Sequence, residues 1–161
     1  MKQKDSGLGN IGQDMTPLDN WILQQISMSD ATSVAIVGPG DKRNLYEKFT
    51  QIKSFKEVNM YDYDPQRAGD GMITCDVVFD IELEEELIIN YACEKMWPLG
   101  KIYKGREFIL IGDNARHHGD CNPIITTRQL IKQNELTEVW SFNQLFPNHP
   151  RSKLFMVYGC N

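Results

Sequence analysis

No run of apolar residues in this chain approaches the roughly 20 needed to span a bilayer, so the sequence predicts no membrane-crossing helix. Residues 1–13 are polar and glycine-rich, with no apolar segment of the kind a secretory signal requires. There is no C-x-x-C pair either. Cys75, Cys93, Cys121 and Cys160 are widely spaced, which without such a signal reads as reduced thiols and not as a disulfide framework. Histidine is scarce, at three residues. His117 and His118 stand near Cys121, yet a second arm of paired zinc ligands is missing, so no metal is assigned. Cations are outnumbered: 17 Lys and Arg against 22 Asp and Glu give a formal net charge of -5. That balance weighs against nonspecific binding to nucleic acid or to an anionic membrane. Internal repeats and low-complexity segments are also missing. These absences leave a cytoplasmic globular protein as the expectation.

What is present suits one core. The 161 residues, 41% hydrophobic and 24% charged, suffice for one domain and not for two. Residues 1–15 read as a flexible arm, and residues 16–161 as a single domain opening on a helix over 16–28. Thr16 is a suitable N-cap, Pro17 suits the first helical position, and Asp19 sits in the first turn. Leu18, Trp21, Ile22 and Ile26 recur at helical spacing and predict one packed face.

Next comes S-V-A-I-V-G-P-G-D, Ser33 to Asp41. A β-branched run stops at Gly38-Pro39-Gly40, and Leu45, Phe49 and Ile52 then fall on one helical face. The pattern is strand, tight turn, helix. E-V-N-M-Y-D-Y-D-P predicts a second strand ending near Asp62, M-I-T-C-D-V-V-F a third, E-L-I-I-N-Y a fourth and E-F-I-L-I-G a fifth. Thr126 to Leu136 reads as a capped helix, followed by T-E-V-W-S-F and K-L-F-M-V-Y-G. Seven strands with interspersed helices predict an α/β fold with a mostly parallel sheet. The links between the second and fourth strands are too short for long helices.

In a parallel sheet, ligands bind at the carboxyl ends of the strands where the order reverses. Gly38 and Gly40 remove side chains there, so a cofactor can approach the backbone. Asp62 follows at the spacing of an acid that accepts hydrogen bonds from ribose hydroxyls. Asp64-Pro65 looks like an N-cap and a first helical residue. The alternative for Gly38-Pro39-Gly40 is a plain turn, and for Asp62 a solvated acid at a strand end. Gly112 to Asn122 is the most polar loop and leaves the same sheet edge. Its Arg116, His117 and His118 can contact an acidic substrate or a phosphate, and either histidine can act as a base near neutral pH; the alternative is a solvated loop. The run Glu82-Glu84-Glu85-Glu86 reads as a solvated edge.

The order of these pieces resembles the class I S-adenosylmethionine-dependent methyltransferases, a Rossmann-like fold, over roughly residues 30 to 161. Y-D-Y-D-P resembles the family's second strand, which implies Asp62 on the ribose hydroxyls. T-C-D-V resembles its third element, which implies Asp76 near the adenine amino group. I-I-N-Y-A-C-E-K-M resembles its fourth, which implies Asn90 and Glu94 at the methyl-transfer site, with Asn90 accepting a hydrogen bond from the target nitrogen and Glu94 as general base. Tyr91, beside Asn90, joins Arg116, His117 and His118 as a candidate substrate contact. The last two strands resemble the family's closing pair, with the seventh inserted antiparallel. In compactness, and in Cys-Glu-Lys-Met-Trp-Pro, the chain resembles small methyltransferase-like proteins of bacteriophages.

The chain also departs from the family's glycine loop. Ile36 stands where an acid is usual, Lys42 where a third glycine is usual, and Pro39 removes a backbone donor. Asp41 is the candidate replacement for the acid. Cys93 is a nucleophile only if its pKa is lowered. Asn90 to Leu99 also reads as a packing turn in which Met96, Trp97 and Leu99 cover core. Two functions therefore stand. One is an S-adenosylmethionine-binding methyltransferase acting on a small or partner-presented substrate. The other is a catalytically inactive member with a structural or assembly role, as a homo-oligomer or virion component.

Overall fold

The computed structural model describes residues 16–40, 47, 49, 55–67, 72–115, 120–146 and 152–161. The arm assigned to 1–15, the candidate site residues Asp41, Arg116, His117 and His118, and the glycine-loop position Lys42 lie outside the described residues. Of the helix expected after the glycine turn, Glu47 and Phe49 are described; both are helical, and Phe49 is fully buried.

Helix α1 (Pro17–Met28) starts where its capping residues place it. Thr16 Oγ1 accepts the Asp19 N–H at 3.2 Å, and the Asp19 carboxylate accepts the Thr16 N–H at 3.3 Å. The two bonds satisfy two donors that a helix start would otherwise leave open. Leu18, Trp21, Ile22 and Ile26 are buried as their spacing implies, together with Leu23.

Seven strands form one sheet: β1 (Ser33–Val37), β2 (Glu57–Asp62), β3 (Met72–Thr74), β4 (Leu87–Asn90), β5 (Glu107–Asp113), β6 (Glu138–Leu145) and β7 (Leu154–Cys160). Their order is β3-β2-β1-β4-β5-β7-β6. The first five run parallel, and β7 lies antiparallel between β5 and β6. This is the α/β sheet that the strand pattern predicts, with the antiparallel seventh strand that the resemblance implies. The order reverses between β1 and β4, which opens a crevice at their carboxyl ends.

The central strands are buried on both faces, which is why they read as continuous apolar runs. Val34, Ile36, Ile89 and Ile109 pack toward α1. Ala35, Val37, Ile88 and Phe108 pack the other way, under the short helix α2 (Leu99–Ile102) and helix α3 (Thr127–Gln133). Among the described residues, no helix is long and apolar enough to cross a membrane.

Three local expectations need correction. β3 stops at Thr74 and does not continue to Phe79. Asp76 Oδ1 accepts the Val78 N–H at 2.9 Å, while the Asp76 N–H donates to Asp80 Oδ2 at 2.8 Å, so the chain turns there. The glutamate run is not wholly solvated, since Glu85 is 3% exposed. Its Oε1 accepts the Tyr61 hydroxyl at 2.6 Å and Asn59 Nδ2 at 2.8 Å. Leu99 does cover core, but Trp97 is 61% exposed.

Candidate functional site

Strand register places the candidate loops side by side. Val37, the last residue of β1, pairs with Tyr61 on one side and Asn90 on the other, and Asp62 pairs with Thr74. The ladder continues one step past each strand end. Gly38 N–H donates to Tyr61 O at 2.8 Å, Tyr91 N–H to Val37 O at 3.0 Å, and Cys75 N–H to Asp62 O at 3.1 Å. Four loop starts are thereby held at one level.

A cavity of about 480 Å³ opens between them, within the usual range for small-molecule sites. Gly38 and Gly40 form its wall after β1, Asp62 to Asp64 after β2, Cys75 to Val77 after β3, and Ala92, Lys95 and Met96 after β4. Four of the residues singled out in the sequence thus meet at one cavity: Gly38, Gly40, Asp62 and Asp76. Asp62 is 7% exposed, and its Oδ1 accepts the Asp64 N–H at 3.1 Å. Its Oδ2 makes no hydrogen bond among the described residues. Asp64 Oδ1 accepts the Gln66 N–H at 3.0 Å and starts a single 3-10 turn, Pro65–Arg67, as its place before proline implies.

Gly38 and Gly40 have φ of 61° and 58°, a region that strongly favours glycine. A β-carbon on Gly38 would also meet the β-carbon of Ala92 at 2.8 Å. The turn is therefore built against the β4 loop, and only its backbone borders the cavity at these two positions.

Asn90, Tyr91 and Glu94 do not line the cavity. Asn90 is 1% exposed; its Oδ1 accepts the Ala92 N–H at 2.9 Å, and its Nδ2 lies 3.4 Å from Met96 Sδ. Its amide thus holds two residues that do line the cavity. Tyr91 packs against the α1 side of the sheet, and burial followed by the charge of Asp19 pushes its hydroxyl pKa well up. Glu94 lies in the 3-10 turn Cys93–Lys95 and is 5% exposed. Burial, reinforced by Asp113 and Asp120, raises its carboxyl to about 7. Cys121 and Asn122 donate backbone N–H groups to Glu94 O at 3.1 and 2.9 Å, which ties that turn to the loop carrying Cys121, itself a cavity residue. Cys93 is buried, and burial raises its thiol pKa, the opposite of what a nucleophile needs.

The sequence did not single out Tyr63, Cys75, Lys95 or Cys121 as site residues, and all four line the cavity. Tyr63 and Cys75 adjoin Asp62 and Asp76, which is the one available signal. Lys95 and Cys121 reach the site through turns with no sequence signature.

No family model matches the sequence, and no curated protein matches it. Solved structures are similar in fold. The methyltransferase domain of bacterial-CtHen1-C matches at TM-score 0.63 and 12% identity, over 89% of this chain and 97% of that one. The N-methyltransferase NodS from Bradyrhizobium japonicum WM9 matches at TM-score 0.61 and 13% identity, over 99% of this chain and 100% of that one. Human N-acetylserotonin methyltransferase in complex with SAM matches at TM-score 0.58 and 10% identity, over 90% of this chain. The chain spans 52% of the length of that human protein.

Proposed function

We propose that this domain binds S-adenosylmethionine across the ends of β1, β2 and β3 and supports methyl transfer to a small or partner-presented acceptor. One observation carries the reading: Gly38, Gly40, Asp62 and Asp76, picked out by sequence spacing and resemblance, border a single cavity at the point where the strand order reverses. The residues suit the group. Asp62 offers a carboxylate oxygen with no hydrogen-bond partner among the described residues, suited to ribose hydroxyls. Asp76 has one oxygen engaged by Val78, and its other oxygen suits an adenine amino group. When bound, the cofactor supplies an electrophilic methyl group on a sulfonium, and displacement there depends chiefly on positioning.

In this reading Asn90 acts as a positioning residue, holding Ala92 and Met96 against the cavity. Glu94, buried next to the cavity residue Lys95 with its carboxyl raised toward neutrality, is the candidate proton acceptor. Arg116, His117 and His118 remain candidates for acceptor contact and Asp41 for the methionine part of the cofactor, while Tyr91, packed on the α1 side of the sheet, has no role in this reading.

The engaged amide of Asn90 favours a second reading, in which the fold binds the cofactor without transferring methyl and serves assembly. A thermal shift series separates the possibilities. S-adenosylhomocysteine at 100 times its dissociation constant should stabilise the fold by about 2.7 kcal/mol. Stabilisation with methyl transfer in a mixed acceptor panel supports the first reading, and stabilisation alone the second. No shift at millimolar ligand contradicts both.

A further inference from the structure

The two edges of the sheet are guarded very differently. At one edge β3 has three residues, too few to template a partner strand. At the other, β6 runs for eight residues and, among the described residues, pairs only with β7. Each of its eight side chains is exposed or half-exposed. Natural edge strands are blunted by lysine, proline or inward charges. Here Glu138 is the single charged residue, proline is missing, and Val139, Trp140 and Phe142 are exposed, with Phe146 following at 71% exposure.

We propose that β6 pairs antiparallel with β6 of a second copy about a twofold axis, making one sheet continuous through both molecules. Symmetry fixes much of the register. Directly opposed residues of an antiparallel pair point to the same face, and successive residues alternate. A twofold axis normal to the sheet preserves the face, so it passes through a residue facing its own mate. The register shift between Val139 and Ser141 confines regular alternation to Ser141–Leu145. An axis at Phe142 sets the two Phe142 rings together and Ser141 against Asn143. An axis at Asn143 would instead set each Phe142 against Gln144 and lose the aromatic pair.

Charge also favours a second copy over a foreign strand. Antiparallel pairing brings the Glu138 end of each strand beside the Phe146 end of the other. There Lys153 Nζ lies 5.6 Å from the Phe146 ring centroid. The one acid of the strand thus meets a cation, and by symmetry does so twice. Because both copies use β6 and the β3 edge is short, the contact closes at two molecules.

The test is the solution mass of the full chain by sedimentation across concentration, beside Phe142→Lys and Phe142→Tyr. The expected result is a dimer at about 100 µM, retained by Phe142→Tyr and weakened at least about tenfold by Phe142→Lys, which opposes two like charges on the axis. Unchanged far-ultraviolet circular dichroism shows that the lysine variant is folded. If that variant does not fold, deuterium exchange of the native chain decides: amides of Glu138–Leu145 should exchange more slowly at high concentration than at low. A monomer at about 100 µM, an open-ended series of larger species, a dimer indifferent to Phe142→Lys, or concentration-independent exchange of β6 each overturns the proposal.

Discussion

Gly38 and Ala92 approach so closely that a β-carbon on Gly38 would stand 2.8 Å from the β-carbon of Ala92. The contact joins the loop after β1 to the loop after β4, across the crevice where the strand order reverses. It gives Gly38 two independent reasons to be glycine, its φ of 61° and the absence of space. Gly38→Ala should therefore cost about 1–3 kcal/mol of stability, read by urea unfolding, and should weaken cofactor binding more than stability. Gly105, with φ of 67° but nothing within 4 Å of a built β-carbon, is the control. Gly105→Ala should cost only the backbone strain and leave binding unchanged.

Glu94 makes stability depend on pH. Its carboxyl is raised to about 7 in the fold against an ordinary 4.5, first by burial and then by Asp113 and Asp120. The folded state holds the proton more tightly than the unfolded chain does. This group's contribution is thus fully present below about pH 4.5 and falls as pH rises toward 7. The loss should be on the order of 3 kcal/mol. Glu94→Gln should remove this component and raise stability at pH 8, as read by chemical denaturation across pH. An unchanged pH profile in the variant would show that Glu94 is not the titrating group.

Glu85 sits at the centre of a buried polar cluster. It takes hydrogen bonds from Tyr61 and Asn59, and its Oε2 accepts the Glu84 N–H at 3.1 Å. Removing the carboxylate strands the buried Tyr61 hydroxyl. Glu85→Ala should destabilise by about 2–3 kcal/mol, whereas Tyr61→Phe, which removes the buried donor itself, should cost closer to about 1. Thermal melting of the two variants provides the comparison.

Asn90 links two cavity residues through one amide. Asn90→Ala should release the Ala92 N–H and the Met96 side chain, costing about 1–2 kcal/mol. Asn90→Asp keeps the acceptor for Ala92 but buries a carboxyl without a cation, so it should restore the loop chiefly at acid pH, where the carboxyl is protonated. If Asn90 only positions the loop, cofactor affinity will track this restoration. If its amide touches an acceptor substrate, the aspartate variant will bind cofactor and still fail in transfer.

Much of this was legible from local signals. Thr16 and Asp19 announce α1, the Val-Ala-Ile-Val run announces β1, and Asp62 with Asp64-Pro65 announces the end of β2. Each depends on residues within a few positions of one another. Glu85 was not legible, because its partners Tyr61 and Asn59 lie 24 and 26 residues earlier. The end of β3 is not legible, because Val77 to Phe79 have strand-like side chains while the Asp76 and Asp80 hydrogen bonds turn the chain. The convergence on Asp62 and Asp76 was legible by resemblance. The inward use of the Asn90 amide depends on a turn geometry that the sequence does not announce.

The most direct measurement is a calorimetric titration of the full chain with S-adenosylmethionine, beside Asp62→Ala and Asp76→Ala. The expected result is one site per chain, with affinity lost by at least about tenfold in Asp62→Ala and reduced less in Asp76→Ala. A folded native chain giving no heat at millimolar ligand, or binding unaffected by Asp62→Ala, would contradict it.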